Sequence, residues 1–289
     1  MVLEIRQVED LREIYKYYCG IKSAVPYWFD VDYPLWLESF ADDTDYDGEK
    51  MFSQLFTYAA YDADRIVGFV QFGISRYVYD SSGEKNRDQS CGVIRALYFS
   101  SEYDCGDNLI AAAEKYFVQQ RLTAKAAFFH ALGMTCNAGH GKLFCGLPHI
   151  EAALLRTGYV KEHENVYYKR MLTENDKPDN KVMAVYGGIN PKGLQEFTVS
   201  ADGKPVGAGA LVYLPQGGIC YLKWIYIYDA EQGKGYASSA LCNIFADLYR
   251  DGIRRLDTDT ADGNIIAQRL YEKVGFTDMG RTRSYLKQF

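Results

Sequence analysis

The 289-residue sequence predicts an α/β (α+β) protein of two tandem units, each a mixed, mostly antiparallel β-sheet flanked by helices. Three observations carry this. Short runs of β-branched and aromatic residues alternate with stretches of helical spacing along the whole chain. The order of those elements recurs, and the closing helix and strand of the two halves align, "LLRTGYVKEHENVYYKR" beside "LYEKVGFTDMGRTRSYLK". Between the halves, "MLTENDKPDNK" is charged, rich in Asn and Asp and poor in apolar periodicity, as a linker is. The expected division is a first domain over 1–172, a linker over 173–180 and a second domain over 181–289.

In the first half, "LEIRQV" reads as a strand, 10–20 and the region around 33–40 as helices, and "YDADRIVGFVQFGIS" as a strand pair. Then come strand "GVIRALYFS", a helix over 108–121, strand "AKAAFFHAL" (124–132), helix "PHIEAALLRTGY" and strand "ENVYYKRML". In the second half, "KVMAVYGGI" and "LQEFTVS" are strands separated only by "NPKG", and the turn "ADGKP" leads into strand "VGAGALVYL". "ICYLKWIYIY" (219–228) is β-branched and aromatic enough to be a strand buried on both faces. Ala237, Ala240, Leu241, Ile244, Phe245 and Leu248 then keep helical spacing until Gly252. "RRLDTDT" is a short strand, "DGNIIAQRLYEKVGF" a helix capped by Asn264 and closed by Gly275, and "MGRTRSYLKQF" a final strand.

Composition narrows the function. Hydrophobic residues make up 48% and charged residues 24%, enough for a real core in each half. No stretch of eighteen apolar residues occurs, and "VLEIRQVED" after Met1 lacks the regions of a signal peptide, so no membrane partner and a cytoplasmic location are expected. A net charge of −6 argues against nucleic acid, which needs a basic stripe, and suits a cationic or amine-bearing small partner. Seven cysteines without a CxxC pair read as reduced thiols. Cys136, His140, Cys145 and His149 stand four, five and four residues apart, a mixed set that can bind zinc, but they lack the paired knuckles of structural sites, so no metal is expected.

The stretch between the 219–228 strand and the helix after it, "DAEQGKGYASSAL", carries the chemistry. A loop leaving a buried strand and opening a helix gathers free backbone N–H groups at the positive end of the helix dipole, which suits a phosphate. Gly233 and Gly235 permit positive φ, Ala237 keeps the first turn small, and Lys234 adds a mobile charge. The nucleotide loop GxxxxGK[ST] and the dinucleotide loop GxGxxG both fail on spacing.

Gln232, Gly233, Lys234, Gly235, Tyr236 and Ala237 instead resemble the Q/R-x-x-G-x-G/A signature of the GNAT superfamily of acyl-CoA N-acyltransferases, and Asn264, Ala267, Leu270, Tyr271, Gly275 and Phe276 resemble its N-x-x-A-x-x-L-Y-x-x-x-G-F helix. The resemblance covers 203–289 well and the first half in outline. It implies a sheet with two splayed strands, with Ile225, Tyr226 and Ile227 pairing their main chain to the pantetheine arm of acetyl-CoA and residues from Gln232 to Ser238 holding its pyrophosphate. It also implies transfer of acetyl to a primary amine of a small molecule by direct attack in a ternary complex, with Tyr271 as general acid. Asn264 is then a helix cap, or a cap that also touches the co-substrate. The alternative is a non-catalytic acyl-CoA sensor or a structural protein. Oligomeric state has no signal in the sequence.

The base has several candidates. Asp257 and Asp259 alternate on one strand, so they share a face, where they could receive a cationic amine or form the solvated face of an edge. Tyr226, Tyr228, Glu231, Tyr285 or a water chain are further options. In the first half, "FSSEYDCGDN" puts Glu102, Asp104 and Asp107 where the glycine loop should be, and each close pair with a pyrophosphate would cost about 4 kcal/mol at intermediate dielectric. Leu154 and Leu147 stand in place of Tyr271 and Asn264, so this half is expected to bind no coenzyme A. The second half lacks the two helices that wall the family's acceptor pocket, and the aromatic "SAVPYWFDVDYPLWLESF", with Trp28, Phe29 and Trp36, is expected to supply that wall or to be core.

Overall fold

A computed structural model describes residues 3–79, 85–88, 90–129 and 133–288. The end of the strand expected at 124–132 lies outside the described residues. The chain runs β1 (Glu4–Gln7), α1 (Leu11–Ile21), α2 (Tyr33–Ala41), β2 (Phe52–Asp62), β3 (Arg65–Ser75), β4 (Val78–Tyr79), β5 (Lys85–Asn86), β6 (Cys91–Phe99), α3 (Gly106–Gln119), β7 (Ala124–Ala127), β8 (Leu143–Phe144), α4 (Pro148–Arg156) and β9 (Val160–Met171). It continues through β10 (Met183–Ile189), β11 (Leu194–Ala201), β12 (Lys204–Tyr213), β13 (Ile219–Ile227), α5 (Tyr236–Arg250), β14 (Arg255–Ala261), α6 (Ile265–Lys273) and β15 (Thr277–Gln288). No helix among the described residues is long and apolar enough to cross a membrane.

Two compact units form, and only the second is one continuous stretch of chain. The first comprises Met1–Glu164 with Thr282–Phe289, the second Asn165–Arg281. The first unit's sheet runs β1-β2-β3-β6-β7 and is completed by β15, whose Tyr285–Gln288 pair antiparallel with Ala127–Ala124. The second runs β10-β11-β12-β13-β14 and is completed by β9, whose Asn165–Met171 pair antiparallel with Ala261–Arg255. Each unit thus takes its last strand from the other half of the sequence. The division expected at 172–181 marks a change of elements along the chain, whereas packing divides it inside β9 and inside β15. Pairing is antiparallel in both sheets except at β6–β7 and β13–β14.

In the first unit α1 and α2 intervene between β1 and β2. Asp10 and Asp32 cap them, accepting from the N–H groups of Arg12 and Leu35. In the second unit the corresponding strands β10 and β11 are joined by a tight turn, in which the Asn190 carboxamide accepts from Lys192 N at 2.9 Å and Leu194 N at 3.0 Å. The absent helices are therefore a real feature of this half. Its core lies on one sheet face, where Ala240, Leu241 and Ile244 of α5 pack with Leu211, Cys220, Leu222 and Leu256. Each fully buried Leu or Ile contributes about 1.5–3 kcal/mol. The expected linker is held rather than loose: Asp179 N and Val182 O both bond the Asn243 carboxamide of α5, and Ser239 Oγ donates to Asp179 O at 3.2 Å. Phe29 and Trp36 are buried in the first unit's core, Trp36 stacked on Phe40 at 4.6 Å.

Candidate functional site

The loop after β13 has the form its glycines suggest. Gly233 and Gly235 both take positive φ, 77° and 82°, conformations that cost an L-residue about 1–2 kcal/mol. A side chain at Gly233 would meet open space, and residues 232–235 are exposed. The first intrahelical bond of α5 is Ser239 N to Gly235 O, 3.1 Å, so the amides of Tyr236, Ala237 and Ser238 precede any helical acceptor. Gln232 braces the loop from below, its Nε2 donating to Ile227 O at 3.1 Å and Asp229 Oδ1 at 2.9 Å. Lys234 pairs with Glu231 at 2.7 Å.

Behind the loop the sheet opens. β13 pairs with β14 only from Ile219–Leu222 to Arg255–Thr258, while β13 stays paired with β12 as far as Ile227. Leu211 faces Leu222 and Ala210 faces Trp224, so Lys223 is an extra, bulged residue. A bulge bends and twists its strand, and here it falls at the last pair with β14. Past it, Ile225, Tyr226 and Ile227 present main chain to a gap. The reading of 219–228 as buried on both faces holds only for the first four residues. Trp224, Tyr226 and Tyr228 are 39%, 52% and 36% exposed, because no helix covers that face between β10 and β11.

Tyr271 stands beside the gap on the helix side. It is buried, its ring 5.6 Å from Tyr168 and 5.4 Å from Phe276. Burial raises its pKa above the ordinary 10 and the charge of Asp259 adds to this, while a hydrogen bond with Thr258 opposes both. Asn264 caps α6, Oδ1 accepting from Ala267 N at 3.2 Å, and is exposed.

The two strand carboxylates differ. β14 is flanked by β13 and β9, so neither belongs to a solvated edge strand. Asp257 is 1% exposed and bidentate to Arg255 at 2.8 and 2.7 Å, with Tyr167 donating at 2.6 Å. Burial raises its pKa against the pull of Arg255. Asp259 is half-buried and accepts from Tyr221 and Asn165. Among the other base candidates, Tyr285 lies in the first unit, donating to Glu151 at 3.0 Å, and Glu231 is the partner of Lys234. The bulge, and the donors that seat Asp259, went unread in the sequence. A lysine inside an otherwise apolar strand was the available signal for the bulge.

Residues 159–276 match the sequence model of the acetyltransferase (GNAT) family. The match spans β9 to α6, the segment that holds the glycine loop and Tyr271. No curated protein matches the chain in sequence. Among solved structures, the chain is similar to a tandem GNAT protein from the clavulanic acid biosynthesis pathway, with a TM-score of 0.65 at 11% identity over 99% of this chain and 98% of that one. A glucosamine N-acetyltransferase region of a fungal multi-domain GH3 β-N-acetylglucosaminidase gives 0.64 at 12% identity, over 99% of this chain and 38% of that one. A GCN5-related N-acetyltransferase from Sphaerobacter thermophilus gives 0.56 at 12% identity, over 80% of each chain. These likenesses establish the tandem GNAT fold.

The first GNAT-like unit repeats the splay and fills it. Arg95 is the bulged residue of β6, between the pairs Gln71–Ala96 and Phe72–Ile94, and β6 pairs with β7 only over Gly92–Ile94. Its guanidinium donates to Phe40 O at 3.1 Å and Gly133 O at 2.8 Å, and burial pushes its pKa down to about 10. Phe128 N extends the ladder to Ile94 O, and the Tyr98 ring sits 4.3 Å from Trp28 and 5.8 Å from Phe128. His149 of α4 bonds Phe99 O at 2.8 Å, closing the end of β6. In the loop between β6 and α3 no residue takes positive φ, and Asp104 and Asp107 pair with Arg156. Leu147 caps α4 without a side-chain bond, and Leu154 is fully buried.

Three of the four residues weighed for zinc have other neighbours. His149 is on Phe99 O, the His140 ring packs on Tyr27 at 4.5 Å, and Cys136 N bonds Ser39 Oγ at 2.8 Å. Among the described residues no three His, Cys, Asp or Glu are grouped to hold a metal.

Proposed function

We propose that the second unit binds acetyl-CoA and transfers its acetyl group to a primary amine of a small molecule by direct attack in a ternary complex. The observation that carries this reading is the parting of β13 from β14 beyond Leu222, with the exposed Gly233–Gly235 loop following β13 and the buried Tyr271 on α6. Amides 236–238 and the dipole of α5 hold the pyrophosphate, with Gln232, Lys234 and Ser238 around it. Main-chain groups of Ile225, Tyr226 and Ile227 pair with the pantetheine arm as an added strand would, and one such N–H stabilises the thioester oxyanion. Tyr271 protonates the leaving thiolate. A pKa above 10 keeps it protonated through neutral and mildly alkaline pH, as that role requires. Asn264 keeps its place as cap at the entry of the arm.

All seven cysteines are free thiols, which suits a reducing cytoplasm. No acetyl-CoA site is proposed for the first unit, where Asp104 and Asp107 stand at the start of α3 and aromatic rings pack beyond Ile94. The test is thiol release from acetyl-CoA with a panel of amines, alongside calorimetry with coenzyme A. Turnover supports transfer. Binding without turnover on any amine supports the sensor, a reading favoured by the missing acceptor-side helices. No heat with coenzyme A removes both.

A further inference from the structure

The 171–181 segment is fastened at both ends. Asp176 accepts from the Arg170 guanidinium and from Thr173 N at 2.8 Å, while Asn243 of α5 bonds Asp179 N and Val182 O. Such a tether fixes where the segment's two lysines, Lys177 and Lys181, can reach. Lys181 reaches the anion cradle. Its Nζ lies 3.6 Å from the point where a Cβ on Gly235, the N-cap of α5, would stand. The helix dipole is positive there and repels an ammonium, and no described residue offers the Lys181 ammonium an acceptor. An anion between the two relieves the repulsion.

A cleft of about 460 Å³ adjoins the cradle, a volume within the range of about 300–1,000 Å³ usual for ligand sites. Ser238, Cys242 and Phe245 bound it on one face of α5, and residues 273–275 bound it at the end of α6. Its charged lining is Arg170, Asp176, Lys177 and Lys273. Arg170 and Asp176 pair with each other, which leaves the two lysines uncompensated. Lys177 Nζ donates to the main-chain carbonyl of Glu174 at 3.2 Å and keeps further N–H groups, and Lys273 bonds no side chain among the described residues. Lys234 of the loop differs, being paired with Glu231. In a chain of net charge −6, two unpaired ammonium groups in one cleft suit a doubly charged anion. Cys242, Phe245 and Val274 add an apolar side for the body that carries it.

We propose that the 171–181 segment is a cationic clasp for the nucleotide end of acetyl-CoA, with Lys181 facing the pyrophosphate and Lys177 and Lys273 holding the ribose 3′-phosphate in the cleft. This rests on the acetyl-CoA reading above. Ser238 joins the two places, since its amide is the third of the cradle and the residue also lines the cleft. A ligand with its diphosphate on the cradle therefore enters the cleft with its next group, which in coenzyme A is a ribose bearing a phosphate monoester. That monoester carries about −1.5 to −2 charges at pH 7, a match for the two lysines. The stretch that joins the halves of the chain thus belongs to the co-substrate site.

The test is calorimetry of the full chain with coenzyme A and with 3′-dephospho-coenzyme A, which keeps the diphosphate and lacks the monoester. The unaltered chain should bind coenzyme A about tenfold more tightly. Lys177→Met with Lys273→Met should erase that preference while leaving affinity for the dephospho form within about twofold. Lys181→Met should weaken both ligands alike, by about threefold, and keep the preference. All three lysines are exposed, so these changes spare the core. Equal affinity of the unaltered chain for the two ligands overturns the clasp and leaves the acetyl-CoA reading standing. Heat with inorganic phosphate that the double variant abolishes, without any preference between the two ligands, gives the cleft to a separate anion and overturns the clasp as well. No heat with either coenzyme removes the acetyl-CoA reading, and the clasp falls with it.

Discussion

β6 and β13 are the same device with different contents. Each is nine residues long, each carries a cation as its bulged fifth residue, and each loses its parallel neighbour at that point. In β6 the cation turns inward to bind two carbonyls, aromatic rings occupy the space, and a histidine caps the strand end. In β13 the strand end is capped from its own loop, and the gap stays open. A parted pair of strands is therefore a fold property. It becomes a site only where the space is left unfilled and an anion cradle waits at its end.

Six substitutions sharpen or break this contrast. The largest effect should be Tyr271→Phe, lowering kcat about 100- to 10,000-fold while coenzyme A affinity stays within about threefold; an unchanged kcat would return the residue to the core. Next, Arg95→Met leaves the Phe40 and Gly133 carbonyls without that donor and should cost about 2–4 kcal/mol in denaturant unfolding, whereas exposed Lys223→Met should cost under about 1 kcal/mol. Equal costs would end the distinction between a filled and an open bulge. Gly235→Val forces a β-branched residue to φ near 82° and should weaken coenzyme A binding in calorimetry by roughly tenfold, through about 1–2 kcal/mol of strain. In the same experiment the unaltered chain should bind one coenzyme A, since only one unit has the cradle. Smallest, Asn264→Ala should lower stability by about 1 kcal/mol, and the mirror change Leu147→Asn should raise it by a few tenths.

The loop, α6, its cap and the missing helices were legible in the sequence because each is local, set by glycine conformation, capping and periodicity within a dozen residues. Non-local features were not. "RRLDTDT" reads equally well as an edge strand or an interior one, and only the arrival of β9 from the other half places Asp257 beside Tyr167. The 171–181 segment has linker composition, yet Asn243, one helical residue, binds it at Asp179 and Val182. The apolar alternation of β13 concealed its bulge, since an inserted residue shifts facing without changing composition.

The trade of closing strands between the units sets a clock on synthesis. A ribosome must make residues 282–289 before β7 gains its neighbour, so the first unit waits with an open edge while the second is being translated. Cutting the chain at 172–181 would give two fragments, one without the strand that closes β7 and the other without the strand that closes β14. For this molecule the two halves together, rather than either alone, are the smallest piece that can finish both sheets.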